Sequence, residues 1–323
     1  MTQGRVYRNT EVTSDSVELD DLERLHGDTQ ATYWLDIVDP GAIEIEALGR
    51  VLGINAFHLE DALKGRQRPK IEFGDSYIFI NAYSTEYHPE TRVMVSDEIA
   101  IFVTHNGVIT VRDSDDFDRE QVIGRWDSDP ELISQGSAYL LWGLLDVLID
   151  GYFVSLDALD EDVEELEDLL FSPKRNNDAI HHDSYALRKA LVILRRHTLP
   201  MREVVGPLLR QNQVPISLDM SHHFQDLYDH VVRVADWTES LRDLISTLME
   251  TNVTIQGNQM NLIMKKVTSW AAIIAVPTAI TGFYGQNVPY PGYMEPYGFW
   301  VSTGAIVVIS AALYGIFKKN DWL

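Results

Sequence analysis

The feature that most constrains this chain lies near its C-terminus. Residues 267–317, 51 in all, contain no Lys or Arg and a single acid, Glu295. Within them, 267–283 and 299–317 are uncharged apolar runs of 17 and 19 residues. A bilayer core takes roughly 20 such residues as a helix, with about 17 to 25 tolerated, so each run is long enough to span. A buried hairpin of a soluble domain is the competing reading, but soluble core helices rarely lack charge on every face. The first run carries Thr268, Ser269, Pro277, Thr278 and Thr281, which are costly against lipid and suited to a facing helix or to water.

The flanks give an orientation. Lys265 and Lys266 precede the first run, Lys318 and Lys319 follow the second, and the connecting residues 284–298 hold no base. The positive-inside rule then puts both termini in the cytoplasm and the short loop outside. Tyr284, Tyr290, Tyr293, Tyr297 and Trp300 suit the outer interface and Trp322 the inner one. The opening MTQGRVYRNT has no apolar core, so no signal peptide is expected. A multi-pass protein of the cytoplasmic membrane follows. Everything ahead of residue 267 carries 24 bases and 47 acids, the whole of the net charge of −23. Such a polyanion is a poor nucleic-acid partner and attracts cations instead. Cysteine is absent, which excludes disulfides, thiolate metal sites and a cysteine nucleophile.

Residues 1–115 read as a mixed α/β cytoplasmic domain. Residues 33–38 form a short strand, and 41–52 a helix with Ile43, Ala47, Leu48 and Val51 on one side. Strands are expected at 70–85, 93–104 and 108–112, with Asn106-Gly107 turning between the last two. Residues 116–216 read as an acidic helical region. Leu156, Leu159, Val163, Leu166 and Leu170 make a heptad seam. The other face carries eight acids between Asp157 and Asp168, either a solvated face or a cation-concentrating one. Ser172-Pro173 ends that helix, and Pro200 kinks the next. From 217 to 283 nothing stops a helix, a rod of about 100 Å that continues into the first span, 267–283. The outer loop 284–298, a second span 299–317 and a basic tail 318–323 complete the chain. A helix of such length needs partners along it, so an oligomer is expected.

Along that rod Asn261, Met264, Thr268, Ala271, Ala275, Thr278 and Gly282 recur at steps of 3 and 4, a small and polar stripe beside bulky Trp270, Ile273, Ile274 and Ile280. Such a stripe means close helix packing or, with several copies around an axis, the lining of a pore. Beyond it, Gly285 allows a tight turn out of the helix, and Asn287 offers an uncharged carboxamide oxygen. A ring of these suits an ion that sheds water reluctantly, as Mg²⁺ does. A charged ring would hinder release.

Tyr284-Gly285-Gln286-Asn287 closing a first span, a short loop, a second span and a terminal Lys318-Lys319-Asn320-Asp321-Trp322-Leu323 together resemble the CorA family of magnesium/cobalt transporters. His58-Leu59-Glu60-Asp61, Arg66-Gln67-Arg68-Pro69-Lys70 and Asp226-Leu227-Tyr228-Asp229-His230 extend the resemblance. It implies a homopentameric funnel: an α/β cytoplasmic domain, long stalk helices that line the pore, and two C-terminal transmembrane helices. By the same resemblance Asn287 is the outer selectivity residue, with Gly285 and Gln286 in its motif. Asn261, Met264 and Val267 line the inner pore, so the match falls on Val267 where the stripe has Thr268. Asp61 and Asp226 match acids that meet across a subunit boundary around a regulatory divalent ion, and Glu60 and Asp146 a second site. Gln286 stands where the family usually has Met, and Ala271 and Ala275 are small where bulky residues are expected, which moves the narrowest point toward Met264.

The favoured reading is a Mg²⁺ channel gated by intracellular Mg²⁺. Transport of Zn²⁺, Co²⁺ or Ni²⁺ on the same fold is the alternative. The spans lack Cys and His, which disfavours softer metals, while His181-His182 and His222-His223 are candidate ligands for them. A membrane-anchored scaffold or enzyme is more remote, since no phosphate loop, HExxH or Ser/His/Asp signature stands out.

Overall fold

The computed structural model describes residues 2–65, 67–115, 117–173, 176–210, 218–286 and 288–323. They fall into two compact units, Met1–Thr247 and Leu248–Leu323.

In the first unit, runs of β-branched and aromatic residues form β1 (Thr2–Arg8), β2 (Glu11–Ser14), β3 (Ala31–Val38), β4 (Lys70–Phe73), β5 (Ile78–His88), β6 (Val93–Val103) and β7 (Gly107–Arg112). They pair in the order β2-β1-β3-β7-β6-β5-β4. Only β3 and β7 run parallel among these pairs. The β6–β7 hairpin closes where the Thr104 amide donates to the Gly107 carbonyl at 2.8 Å. The single strand expected at 70–85 is instead two, β4 and β5. The chain reverses at Gly74, whose amide donates to the Tyr77 carbonyl at 2.9 Å. Gly-Asp-Ser is turn chemistry, and it outweighs the apolar run on either side.

Side chains alternate across the sheet. Tyr33, Leu35, Ile37, Phe79, Phe102, Ile109 and Val111 share a core with α1 (Leu22–His26), α2 (Ala42–Leu52) and α3 (Ala56–Lys64). The face expected for α2 needs one correction: Leu48 is buried and Val51 packs against the core as expected, but Ile45 stands there in place of Ile43. Ile45, Leu48 and Leu52 point inward, whereas Ile43 is 83% exposed. Both isoleucines offered a helical register, and the i, i+3, i+7 set from Ile45 is the one that meets the sheet. Gly53, at φ +66°, ends α2 in the left-handed conformation that glycine adopts without strain.

The opposite face meets α4 (Arg119–Asp127) and α5 (Ser137–Phe171). Trp34 packs edge-on against Trp126 at 4.9 Å, and the Tyr152 hydroxyl donates to the Tyr83 carbonyl at 2.7 Å. The seam Leu156, Leu159, Val163, Leu166 and Leu170 is buried beside α6 (Asn177–Thr198), which is followed by α7 (Met201–Leu208). Of the eight acids between Asp157 and Asp168 on α5, Asp162 is not on the open face. It is buried, accepts the Tyr87 hydroxyl, and lies 3.8 Å from Arg92 Nε. Pairing is what makes its burial tolerable.

A helix of 67 residues, α8 (Leu218–Tyr284), belongs in part to each unit, and α9 (Pro296–Lys319) completes the second. Among the described residues three helices are long and apolar enough to cross a membrane. The apolar window of α5 is 72% buried by protein, against 6% for α8 and 0% for α9. Neither of the last two has enough protein around it to leave water, so each needs an apolar solvent.

Candidate functional site

Two sets of residues carry the chemistry read from the sequence. The first is in the second unit. Along α8, Ser269 is fully buried, and Ala272, Ile273, Val276, Pro277 and Ile280 are half-buried. They fall at helical spacing and make one covered face. Asn261, Met264, Val267, Thr268, Ala271, Ala275, Thr278 and Gly282 are all exposed, so the small and polar stripe is the face that one chain leaves open. Val267 and Thr268 are equally open, and the one-residue difference between stripe and resemblance persists.

Three hydroxyls of the span bond back to the helix's own carbonyls. Ser269 donates to the Lys265 carbonyl at 2.8 Å, Thr278 to Ile274 at 3.0 Å and Thr281 to Pro277 at 2.8 Å. Bonding back one turn lets these side chains sit at membrane depth without orphaned donors, while their oxygens keep a free lone pair. At the end of α8 the Gly285 amide donates to the Thr281 carbonyl at 2.8 Å. A Cβ on Gly285 would stand 3.0 Å from that same oxygen. Its φ is not positive, so closeness to the carbonyl, not left-handed backbone, is what favours glycine. The Tyr290 hydroxyl donates to the Tyr284 carbonyl at 2.9 Å, satisfying a helix-end acceptor. Phe283, Tyr284, Tyr290 and Tyr293 pack edge to face around it. Gln286 is exposed, and Asn287 lies outside the described residues.

The second set is acidic and sits in the first unit. Asn55 caps α3 by accepting the Phe57 amide at 2.9 Å. His58 locks that helix to the sheet through the Tyr77 hydroxyl at 2.7 Å and Glu72 at 2.6 Å. Asp61, one turn on, holds Lys70 Nζ at 2.7 Å and accepts from Gln67 at 3.2 Å. Burial pulls the Lys70 ammonium down, but its bonds to Asp61 and Glu72 prevail and its pKa is raised. Glu60 pairs with Lys64. Asp146, on α5, is buried and lies 2.9 Å from Arg125. Burial pushes its carboxyl up, Arg125 opposes, and the charges of Asp150, His230 and Asp226 also reach it. Asp226, on α8, is open apart from His230 at 3.9 Å.

The structure thus brings Asp146 and Asp226 into one electrostatic neighbourhood, and gives the α3 acids cations of their own, Lys70 on β4 for Asp61 and Lys64 on α3 for Glu60. Carboxylate oxygens suit a hard divalent cation. Among the described residues, however, no group of three or more His, Cys, Asp or Glu is gathered to hold a metal within one chain. The paired histidines are not gathered either: His182 contacts Asp183 at 3.2 Å, and His223 packs against Trp142 at 4.9 Å. Arg125 went unseen in the sequence, because nothing local links it to an acid 21 positions away.

The sequence profile of the family described as CorA-like Mg²⁺ transporter protein matches residues 29–319. The cobalt/magnesium transport protein CorA of Thermotoga maritima is 32% identical over 304 residues, covering 92% of this chain and 85% of that one. The protein of the same name from Methanocaldococcus jannaschii is 27% identical over 310 residues, covering 94% and 95%. The complete structure of the CorA magnesium transporter from that organism shares the fold, with a TM-score of 0.79 at 24% identity over 100% of this chain and 99% of the other. Sequence along nearly the whole length and fold along all of it lead to one assignment: the chain belongs to the CorA-like Mg²⁺ transporter family.

Proposed function

We propose that this chain is one subunit of a homopentameric channel that admits hydrated Mg²⁺ across the cytoplasmic membrane, with both termini in the cytoplasm. The observation that carries the reading is the open stripe on α8. A face of Ala, Thr and Gly lies uncovered at membrane depth, away from the side where Ser269 is buried and Ile273 and Val276 are partly covered, and such a face has no use against lipid. A two-span subunit cannot enclose a wet path alone, since polar surface in a bilayer must face protein or water. Copies of α8 around an axis supply one. Asn287, which follows Gly285 and Gln286 in sequence, would present carboxamide oxygens to the water shell of the ion. Met264 and Val267 narrow the inner end.

Asp61 and Asp226, from neighbouring subunits, would hold a regulatory Mg²⁺, with Glu60 and Asp146 at a second site. The ion supplies double positive charge between facing carboxylates. Without it Asp226, which has only a distant His230, repels acids across the boundary, and Asp61 falls back on Lys70. An ion shared between subunits has different affinities for the joined and loosened states, the condition for a ligand to shift them.

The test is Mg²⁺ uptake into liposomes carrying the full chain, with and without Mg²⁺ inside. Asn287→Ala is expected to abolish selective uptake, and normal flux would remove the outer ring. Asp61→Ala with Asp226→Ala is expected to weaken inhibition by internal Mg²⁺, and unchanged inhibition would end that role. The name of the Thermotoga maritima relative, a cobalt/magnesium transport protein, favours Co²⁺ as a second cargo. Competition of Co²⁺, Ni²⁺ and Zn²⁺ against Mg²⁺ in the same assay ranks them.

A further inference from the structure

Three of the four acids proposed above for the regulatory ion already face a base of their own chain. Glu60 pairs with Lys64, Asp146 lies 2.9 Å from Arg125, and Asp61 lies 2.7 Å from Lys70 Nζ. A carboxylate so engaged has to give up its partner before it can serve a metal. Lys70 has somewhere else to go, because its ammonium also reaches Glu72 at 2.6 Å. Arg125 repeats the construction, with Asp150 at 2.6 Å as its second acid.

The two oxygens of Asp61 are held differently. Oδ1 accepts from the Gln67 side chain at 3.2 Å, and Gln67 is fixed through its backbone. Its amide donates to Glu98 at 3.2 Å, and its carbonyl accepts the Tyr83 hydroxyl at 2.5 Å. Oδ2 takes the Lys70 ammonium, which sits on a flexible four-carbon stem 5.5 Å from the centre of the Phe79 ring. An ammonium has three donors, so Lys70 can release Asp61 and keep its bond to Glu72. Glu72 is itself anchored by His58 at 2.6 Å. Asp61, Lys70 and Glu72 are all partly exposed, so the exchange needs no unfolding.

We propose that Lys70 is a tethered competitor for Asp61. Its ammonium occupies the carboxylate when internal Mg²⁺ is scarce and withdraws to Glu72 when Mg²⁺ is plentiful, so Lys70 and Glu72 together set the Mg²⁺ concentration at which subunits join. The apparent affinity of a site falls with the fraction of it that is free to bind. Lys70 lowers that fraction for Asp61, and Glu72 raises it by offering the ammonium a second seat. The inference rests on the reading of Asp61 as a ligand of the regulatory ion, and it adds opposite effects for two neighbouring side chains that the ion site alone does not require.

Full-length chain in detergent is titrated with MgCl₂ at constant ionic strength, and the thermal midpoint of unfolding gives the Mg²⁺ concentration for half-maximal stabilisation. Lys70→Gln is expected to lower that concentration roughly fivefold, the upper end for a partly exposed ion pair. Glu72→Gln is expected to raise it about twofold, and to change nothing in the Lys70→Gln background, since the second seat acts only through the ammonium. Lys189→Gln, which removes one charge from an exposed position on α6, should leave it where it was. A pair that merely fastens α3 to β4 would lower the thermal midpoint of both variants without moving the Mg²⁺ requirement in opposite directions. Should Lys70→Gln not assemble, the rise in Glu72→Gln decides the matter. An unchanged or higher requirement in Lys70→Gln, an unchanged or lower one in Glu72→Gln, or an equal shift in Lys189→Gln would overturn the competitor while leaving the ion site standing. No stabilisation of wild type by Mg²⁺, or full stabilisation in Asp61→Ala with Asp226→Ala, would overturn the ion site itself.

Discussion

Helix α5 and the pair α8 and α9 are each long and apolar enough to cross a membrane, yet opposite in what surrounds them. Leu140, Leu141, Leu144, Leu145, Leu148 and Ile149 on α5 are each covered by strands and neighbouring helices of their own chain. Val301, Val307, Val308 and Ile316 on α9 are more than half exposed. Hydropathy alone does not separate the two cases, because it records what a segment avoids and not what shields it. A helix whose shield comes from its own unit is core. One that the chain leaves bare at the same composition has to be shielded by something outside the chain.

The sharpest way to break this contrast is to place one carboxylate in each helix. Leu144→Asp puts a charge with no partner at a fully buried position and is expected to destabilise the first unit by about 4 kcal/mol or more. Val308→Asp, at the middle of α9 and 66% exposed, is expected to leave the first unit folded and to cost about 3 kcal/mol in membrane insertion. Thermal unfolding of the soluble signal and a membrane-insertion assay read the two separately. Equal effects on both would mean that the helices share one environment.

Acid should likewise strike one region only. His197 is 6% exposed, stacks on Tyr83 at 3.9 Å, and its Nδ1 has no hydrogen-bond partner. Burial, with the Arg196 charge, pulls its pKa from 6.5 to about 4. The folded chain refuses a proton that the unfolded chain takes. Stability from the neutral imidazole is therefore complete above pH 6.5 and is lost as pH falls toward 4, by roughly 3 kcal/mol. His197→Phe keeps the ring and is expected to flatten that part of the profile. Residues 248–323 contain no histidine, so the spans should show no matching change over this window.

What the sequence made legible follows the same division. The two spans, the long rod and the α5 seam could be read because each rests on a local period or an unbroken run, and periodicity survives without tertiary context. The open stripe was visible as spacing; a single chain leaves it exposed, and whether copies pack on it or line water with it is decided by other chains. Strands β1 and β2 escaped because Thr2–Arg8 carries two arginines and little alternation, and its partner β3 lies more than twenty residues on. The misplaced Ile43 of α2 and the buried Asp162 have one cause: a helix's register is chosen by what it packs on. The acids matched to the regulatory ion could be named only through the resemblance. Their ties to Lys70, Lys64 and Arg125 depend on folding, and a shared site depends on a second chain.

The finest test uses the smallest change, one methyl group. Gly143 on α5 faces Trp126 so closely that an added Cβ would stand 2.6 Å from the indole. Gly143→Ala is expected to cost about 1–3 kcal/mol through overpacking, read as a lower unfolding midpoint of the first unit. Gly282 on α8 has nothing within 4 Å of the same position, so in a single chain Gly282→Ala meets no clash. It should add up to about 1 kcal/mol of helix stability, since alanine loses less backbone freedom than glycine. If α8 stripes surround water, the methyl projects into the path and assembly is undisturbed, with flux trimmed and not abolished. If instead the stripes press together as a small-residue seam, that methyl forces the helices apart, and the oligomer should dissociate at lower temperature. Comparing subunit dissociation of Gly282→Ala with wild type in lipid therefore separates a wet axis from a dry one, at the one position where the isolated chain is indifferent to the change.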